Sequence, residues 1–163
     1  MQFQRLQSDR VREFASFESA FLALLETRDL LAYQTASLAT TGRFAEISAA
    51  INALIATLEE NGAASVAALA KGVQVHEQQK LKLTAHLQLV RQQIATAGGE
   101  PSAGQTESLL ALQNELELER RAISELLEEV MGELYELRDQ GALDGEVAAA
   151  AAAADGAPPA SDP

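Results

Sequence analysis

The sequence predicts an all-α fold: an elongated bundle of about four helices, paired as antiparallel coiled-coil hairpins, with a disordered alanine-rich tail. Three observations carry this reading. Apolar residues recur at helical spacing in four successive segments, among them Phe14, Phe17, Phe21, Leu24 and Leu31, and then Phe44, Ile47, Ile51, Leu54 and Leu58. A period near 3.6 marks amphipathic helices that must bury one face. Aromatic residues make up only 4% of the chain, there is no Trp, and Val and Thr are sparse. Strands favour such residues, so a sheet is disfavoured. Finally, glycine-containing breaks fall between the periodic segments.

Taken in order, the first helix spans about residues 6–39. Thr40-Thr41-Gly42 is expected to end it, since glycine commonly follows a helix. The second covers about 43–60 and stops at the turn dipeptide Asn61-Gly62. The third covers about 64–96, with Val66, Leu69, Val73, Leu83, Leu87, Val90 and Ile94 on its stripe. Gly72 lies inside it at a cost of about 1 kcal/mol against alanine, which points to a kink or a close helix contact. The fourth covers about 102–140, and Ser102 with Gln105 has the spacing of a capping box, Thr106 being a competing cap. Residues 1–141 thus form one helical domain. Residues 142–163, with seven alanines at 148–154 and Pro158-Pro159 after them, read as a low-complexity, disordered tail.

Charge excludes several functions. The 163 residues carry a formal net charge of −12. Nucleic-acid binders need clustered Lys and Arg, and the four basic residues of the third helix are too few and too spread. Anionic membranes are equally disfavoured, and no stretch has the eighteen or so apolar residues of a span. Without cysteine there is no disulfide framework and no thiolate metal site, which suits an intracellular protein. The N-terminus lacks the apolar core of a secretory signal, and Asp9 and Glu13 among Arg5, Arg10 and Arg12 argue against a transit peptide.

The third helix has three more basic than acidic residues, whereas the fourth sets ten acids against Arg120, Arg121 and Arg138. A short loop makes them antiparallel neighbours. Opposite charge on their flanks would then select register more than add stability. A solvated acidic face is the alternative.

No catalytic constellation is present. His76 and His86 are ten residues apart and do not share a helical face. Neither has the Glu-x-x-His spacing of bundle metal sites. His76 reads as a partly buried, satisfied histidine, and no metal or cofactor is expected. Phosphate loops and nucleophile elbows are missing. The expected protein is not an enzyme.

One stretch has more individual character. Glu77, Lys80, Thr84 and Gln88 follow one another by about a turn and line one side of the third helix. The pattern Glu77-x-x-Lys80-Leu81-x-x-Thr84-x-x-x-Gln88 resembles the corresponding helix of the required-for-excision 1-B domain family. Arg28 among apolar residues, Phe44 opening the second helix, the Gly/Pro/Ser loop after the third, and Ile123 to Leu127 leading into acidic residues agree in order. The resemblance covers about residues 10–140. It implies nuclear participation in excision repair of DNA, with no catalytic residue to carry over.

The expected function is a non-enzymatic accessory or adaptor in excision repair acting through protein partners. The alternative is a coiled-coil subunit of a cytoskeletal, ciliary or trafficking assembly. Two partner surfaces are expected: the strip Glu77, Lys80, Thr84 and Gln88, unless it is consumed inside the bundle, and the acidic face Glu117, Glu125, Glu128, Glu129 and Glu136, which suits a basic partner. The Phe14–Leu31 stripe leaves pairing with a second copy, a homodimer, open.

Overall fold

The computed structural model describes residues 2–98 and 100–139, and they form four helices in two antiparallel hairpins. These are α1 (Gln2–Thr27), α2 (Leu30–Glu60), α3 (Ala64–Ala97) and α4 (Ala103–Asp139). At 1.5 Å per residue they are about 40 to 55 Å long. α1 packs chiefly on α2 and α3 chiefly on α4, while α2 and, more lightly, α1 join α3. The tail expected at 142–163 lies outside the described residues.

The first hairpin turns earlier than the sequence suggested. Thr40-Thr41-Gly42 lies inside α2, which runs unbroken to Glu60. Thr40 is buried, as are Phe44, Ile47, Ile51, Ile55 and Leu58. The Thr41 hydroxyl donates to the Ser37 carbonyl, which removes its pull towards a turn. Continuous packing of this face outweighs the roughly 1 kcal/mol that an internal glycine costs. The chain reverses instead at Arg28-Asp29. Asp29 caps α2, its Oδ1 accepting from the Ala32 N–H at 2.9 Å. Replacing it with alanine (Asp29→Ala) will cost about 1 kcal/mol. A fall of about 3 °C in the melting temperature by circular dichroism checks this.

Three described residues have left-handed backbones: Arg28 (φ 59°), Gly62 (φ 79°) and Gly98 (φ 68°). Each follows a helix C-terminus, where this conformation closes the last turn. Two are glycine, as the geometry favours. At Arg28 a side chain occupies a site that glycine would fill without strain, at about 1–2 kcal/mol. The other connections follow the sequence closely. Gly62 and Ala63 donate to the Glu59 and Leu58 carbonyls. Ser102 and Gln105 form the reciprocal capping box, with the Gln105 N–H on Ser102 Oγ and the Ser102 N–H on Gln105 Oε1. Thr106 is inside α4 and bonds back to the Ser102 carbonyl. α3 runs unbroken through Gly72, which marks a close contact, since a Cβ there would stand 3.2 Å from a Leu126 methyl.

The core has two parts. One end is a four-helix layer in which Phe3 and Leu6 meet Ile47, Ile51, Ile55, Leu58, Val66, Ala67, Val130 and Leu134. Towards the other end α4 packs on α3 alone, through Leu83, Val90, Leu112 and Leu116. The stripe Phe17, Phe21 and Leu24 is buried within the chain, and Leu31 stands outside it on α2 at 73% exposure.

Candidate functional site

Between the apolar end and the α1–α2 tip, the bundle carries a polar layer built largely by the Glu77–Gln88 strip. The strip faces inward. Glu77 is 6% and Gln88 2% exposed, and Lys80 and Thr84 are partly buried. Its reading as a partner surface is therefore corrected: α1 and α2 cover it. Lys80 Nζ lies 2.8 Å from Glu77 Oε2, too obliquely for a hydrogen bond, and 3.9 Å above the Phe14 ring. The Thr84 hydroxyl bonds back to the Lys80 carbonyl at 2.8 Å.

Arg10 of α1 completes this layer and is 2% exposed. Its Nη2 donates to Gln74 Oε1 at 2.6 Å and to Ser48 Oγ at 3.1 Å. Gln74 in turn donates to the Ser48 carbonyl and to Asn52 Oδ1. Burial pulls the Arg10 guanidinium below its ordinary pKa, and Glu77 pushes it back up. Lys80 is lowered for the same first reason and raised again by Glu77. Two buried bases thus depend on one carboxylate. Arg10 Nη1 has no hydrogen-bond partner.

A second network closes the layer towards the tip. Gln88 Oε1 accepts from the Tyr33 hydroxyl at 2.9 Å, and its Nε2 donates to Glu18 Oε2 at 3.2 Å. Arg91 reaches the other Glu18 oxygen at 2.9 Å and lies 5.1 Å from the Phe21 ring centre. Three helices are tied by these bonds. Two bases of α3 pair across helices, Arg91 with Glu18 of α1 and Lys71 with Glu59 of α2 at 2.6 Å, while Lys82 is exposed. The expected attraction between α3 and α4 reduces, among the described residues, to His76 Nδ1 with Glu119 at 2.7 Å and Ser65 with Glu133.

The acidic face stands where the sequence placed it. Glu117, Glu125, Glu128, Glu129 and Glu136 are all exposed. At 100° per residue they occupy an arc of about 120°, opposite the buried Leu112, Leu116, Ile123, Val130 and Leu134. They extend over about 29 Å of α4. The same arc exposes Leu110 at 57%, Leu118 at 62% and Tyr135 at 55%, which the sequence reading missed. Their phase opposite the core stripe was the available signal. Arg121 also lies within it.

Among the described residues no group of three His, Cys, Asp or Glu side chains is arranged to hold a metal ion. No described helix is long and apolar enough to cross a membrane. A family model described as DNA repair REX1-B matches residues 1–91, more than half of the 163-residue chain. The chain belongs to this family. No curated protein and no solved structure matches it.

The REX1-B match spans α1, α2 and most of α3, so it contains every member of the polar layer. The resemblance read from the sequence extended to about residue 140. The match ends at 91, which leaves Ile123, Leu127 and the acidic face of α4 beyond it. The family description carries a role in DNA repair. Arg10, Glu18, Tyr33, Ser48, Asn52 and Gln74 are the members that sequence reasoning did not single out. Arg10 had a legible signal: it falls one helical turn before Phe14, in phase with Phe17, Phe21 and Leu24.

Proposed function

We propose that this REX1-B protein is a non-enzymatic helical adaptor in DNA excision repair, acting in the nucleus through protein partners. The observation that carries the proposal is the outer face of α4. It presents five glutamates along one side of the helix, with Leu110, Leu118 and Tyr135 standing singly on the same side. The glutamates select a basic partner and reject an acidic one. Nucleic acid is disfavoured on this face by the same charge. The polar layer supports a structural reading of the other ionic groups, because its members bond to one another inside the bundle.

Affinity capture by the full chain from nuclear extract, before and after ultraviolet damage, tests the proposal. A triple variant with Glu125, Glu128 and Glu129 exchanged for lysine serves as the comparison. Glutamate and lysine have similar helix propensity, so the variant will keep its helicity. Excision-repair proteins will be enriched by the wild type after damage, and the variant will lose at least nine-tenths of that enrichment. Enrichment of cytoskeletal or trafficking subunits indifferent to damage would instead favour a coiled-coil structural subunit.

A further inference from the structure

The α1–α2 and α3–α4 hairpins are joined in sequence only by Asn61-Gly62-Ala63. Beside this link their contact is apolar: Phe3, Leu6, Ile51 and Leu58 of the first hairpin meet Val66 and Val130 of the second. Towards the tip the contact changes character. There the aromatic rings of the first hairpin pack within it, Phe14 on Phe44 and both Phe17 and Phe21 on Tyr33. Across to α3 the rings meet cations, Phe14 under Lys80 and Phe21 under Arg91. Around them stand the Arg10–Gln74 and Tyr33–Gln88–Glu18 hydrogen bonds. The second hairpin keeps a seam of its own at this end, with Leu83 and Val90 on Leu112 and Leu116.

The seam between the hairpins is also incompletely filled towards the tip. A cleft of about 260 Å³ lies beside Arg10, Gln74 and Glu77, and a shallow groove of about 300 Å³ separates Leu24 and Leu30 from Ala95. Apolar burial is lost outright when a surface is wetted, whereas hydrogen bonds and ion pairs are largely exchanged for bonds to water. Separation at the apolar end would sacrifice the burial of Ile51 and Val66, both 0% exposed. At the tip it costs less, and Arg10 Nη1, buried without a partner, gains water. Gly62 stands at the pivot, where a Cβ would meet open space.

We infer that the two hairpins part at the tip by turning as rigid units about the Asn61-Gly62-Ala63 link, opening the polar layer to water while all four helices stay folded. Such an opening draws on the least apolar part of the fold, where local stability is lowest. It uncovers the Glu77–Gln88 strip, which the closed bundle keeps from any partner. The inference does not depend on the partner reading of α4, whose outer face is the same in both states.

Hydrogen exchange in the full wild-type chain, read by nuclear magnetic resonance, tests this. The Gln88 carboxamide and the Arg10 guanidinium, both 2% exposed, meet water only when the layer opens. The backbone amides of residues 83–90 exchange only when α3 itself unfolds. Relative to their free rates, the two side chains will exchange about a hundredfold faster than those amides, or more. Tyr33→Phe will speed the side chains about fivefold, as loss of one neutral hydrogen bond should, and leave the amides unchanged. The chain has no cysteine, so single thiols separate the two faces of α3. Gln88→Cys will be labelled about a hundredfold faster than Val90→Cys, which packs in the α4 seam. Equal protection of side chains and amides would overturn the inference: if both are slow the bundle opens only by unfolding, and if both are fast this end frays. Equal labelling of the two thiols would overturn it as well.

Discussion

Exchanging Lys80 for glutamate (Lys80→Glu) will destabilise the bundle by about 3–5 kcal/mol. An outward-facing Glu77–Gln88 strip would give a different outcome, with binding weakened and the fold intact. The structure turns the strip inward. Lys80 lies 2.8 Å from Glu77, which is 6% exposed, and its ammonium covers the Phe14 ring. A glutamate there would place two carboxylates together in a poorly hydrated layer and remove the cation from the aromatic face. Only Arg10 would remain to compensate both. A urea titration followed by circular dichroism will show the midpoint shifted far down with little change in slope. Exchanging both members for apolar residues (Glu77→Leu with Lys80→Met) will restore part of the loss, because a buried ion pair contributes little net stability. Arg10 keeps Gln74 and Ser48 but loses its counter-charge, so the restoration will be incomplete.

Truncating Phe21 (Phe21→Ala) is the second large effect, at about 3–5 kcal/mol. Phe21 is 1% exposed and meets Tyr33 edge-on, with ring centres 6.2 Å apart. The Arg91 guanidinium lies over the Phe21 ring, 5.1 Å from its centre. The region has few layers, since at this end α4 packs on α3 rather than on the α1–α2 hairpin. A cavity there cannot be refilled easily, and loosening Tyr33 also frees Gln88 and Glu18. Calorimetry will show a melting temperature lowered by about 10 °C or more. A loss under 1 kcal/mol would mean that the α1–α2 tip collapses onto α3 without the ring.

How much of this was legible in the sequence depends on what each residue was competing against. Helix type came through everywhere, because apolar phase is written over many residues. The Ser102–Gln105 cap and the Asn61-Gly62 turn were also legible, since both are set by local bonds. The first break was misplaced for a tertiary reason. Gly42 is a local signal, while the burial of Thr40 and Phe44 on one continuous face is not local. Asp29 before Leu30-Leu31 was the cap signal that competed and won. The strip was found by its spacing, but spacing cannot say which side is covered. Arg10 lies 64 residues before Gln74 in sequence, and no local pattern reveals that the two meet. The acidic face needed only the phase of α4, and for that reason it was placed correctly.

The central claim is that the protein serves DNA repair through an outward partner surface on α4 rather than through its buried ionic layer. The most direct measurement is survival after ultraviolet irradiation of cells lacking the protein, complemented with the wild type or with the Glu125, Glu128 and Glu129 to lysine variant. Both proteins must first be shown equally folded and abundant. The wild type is expected to restore survival and the folded variant to fail. Full rescue by the variant would contradict the claim, as would unchanged survival when the protein is absent.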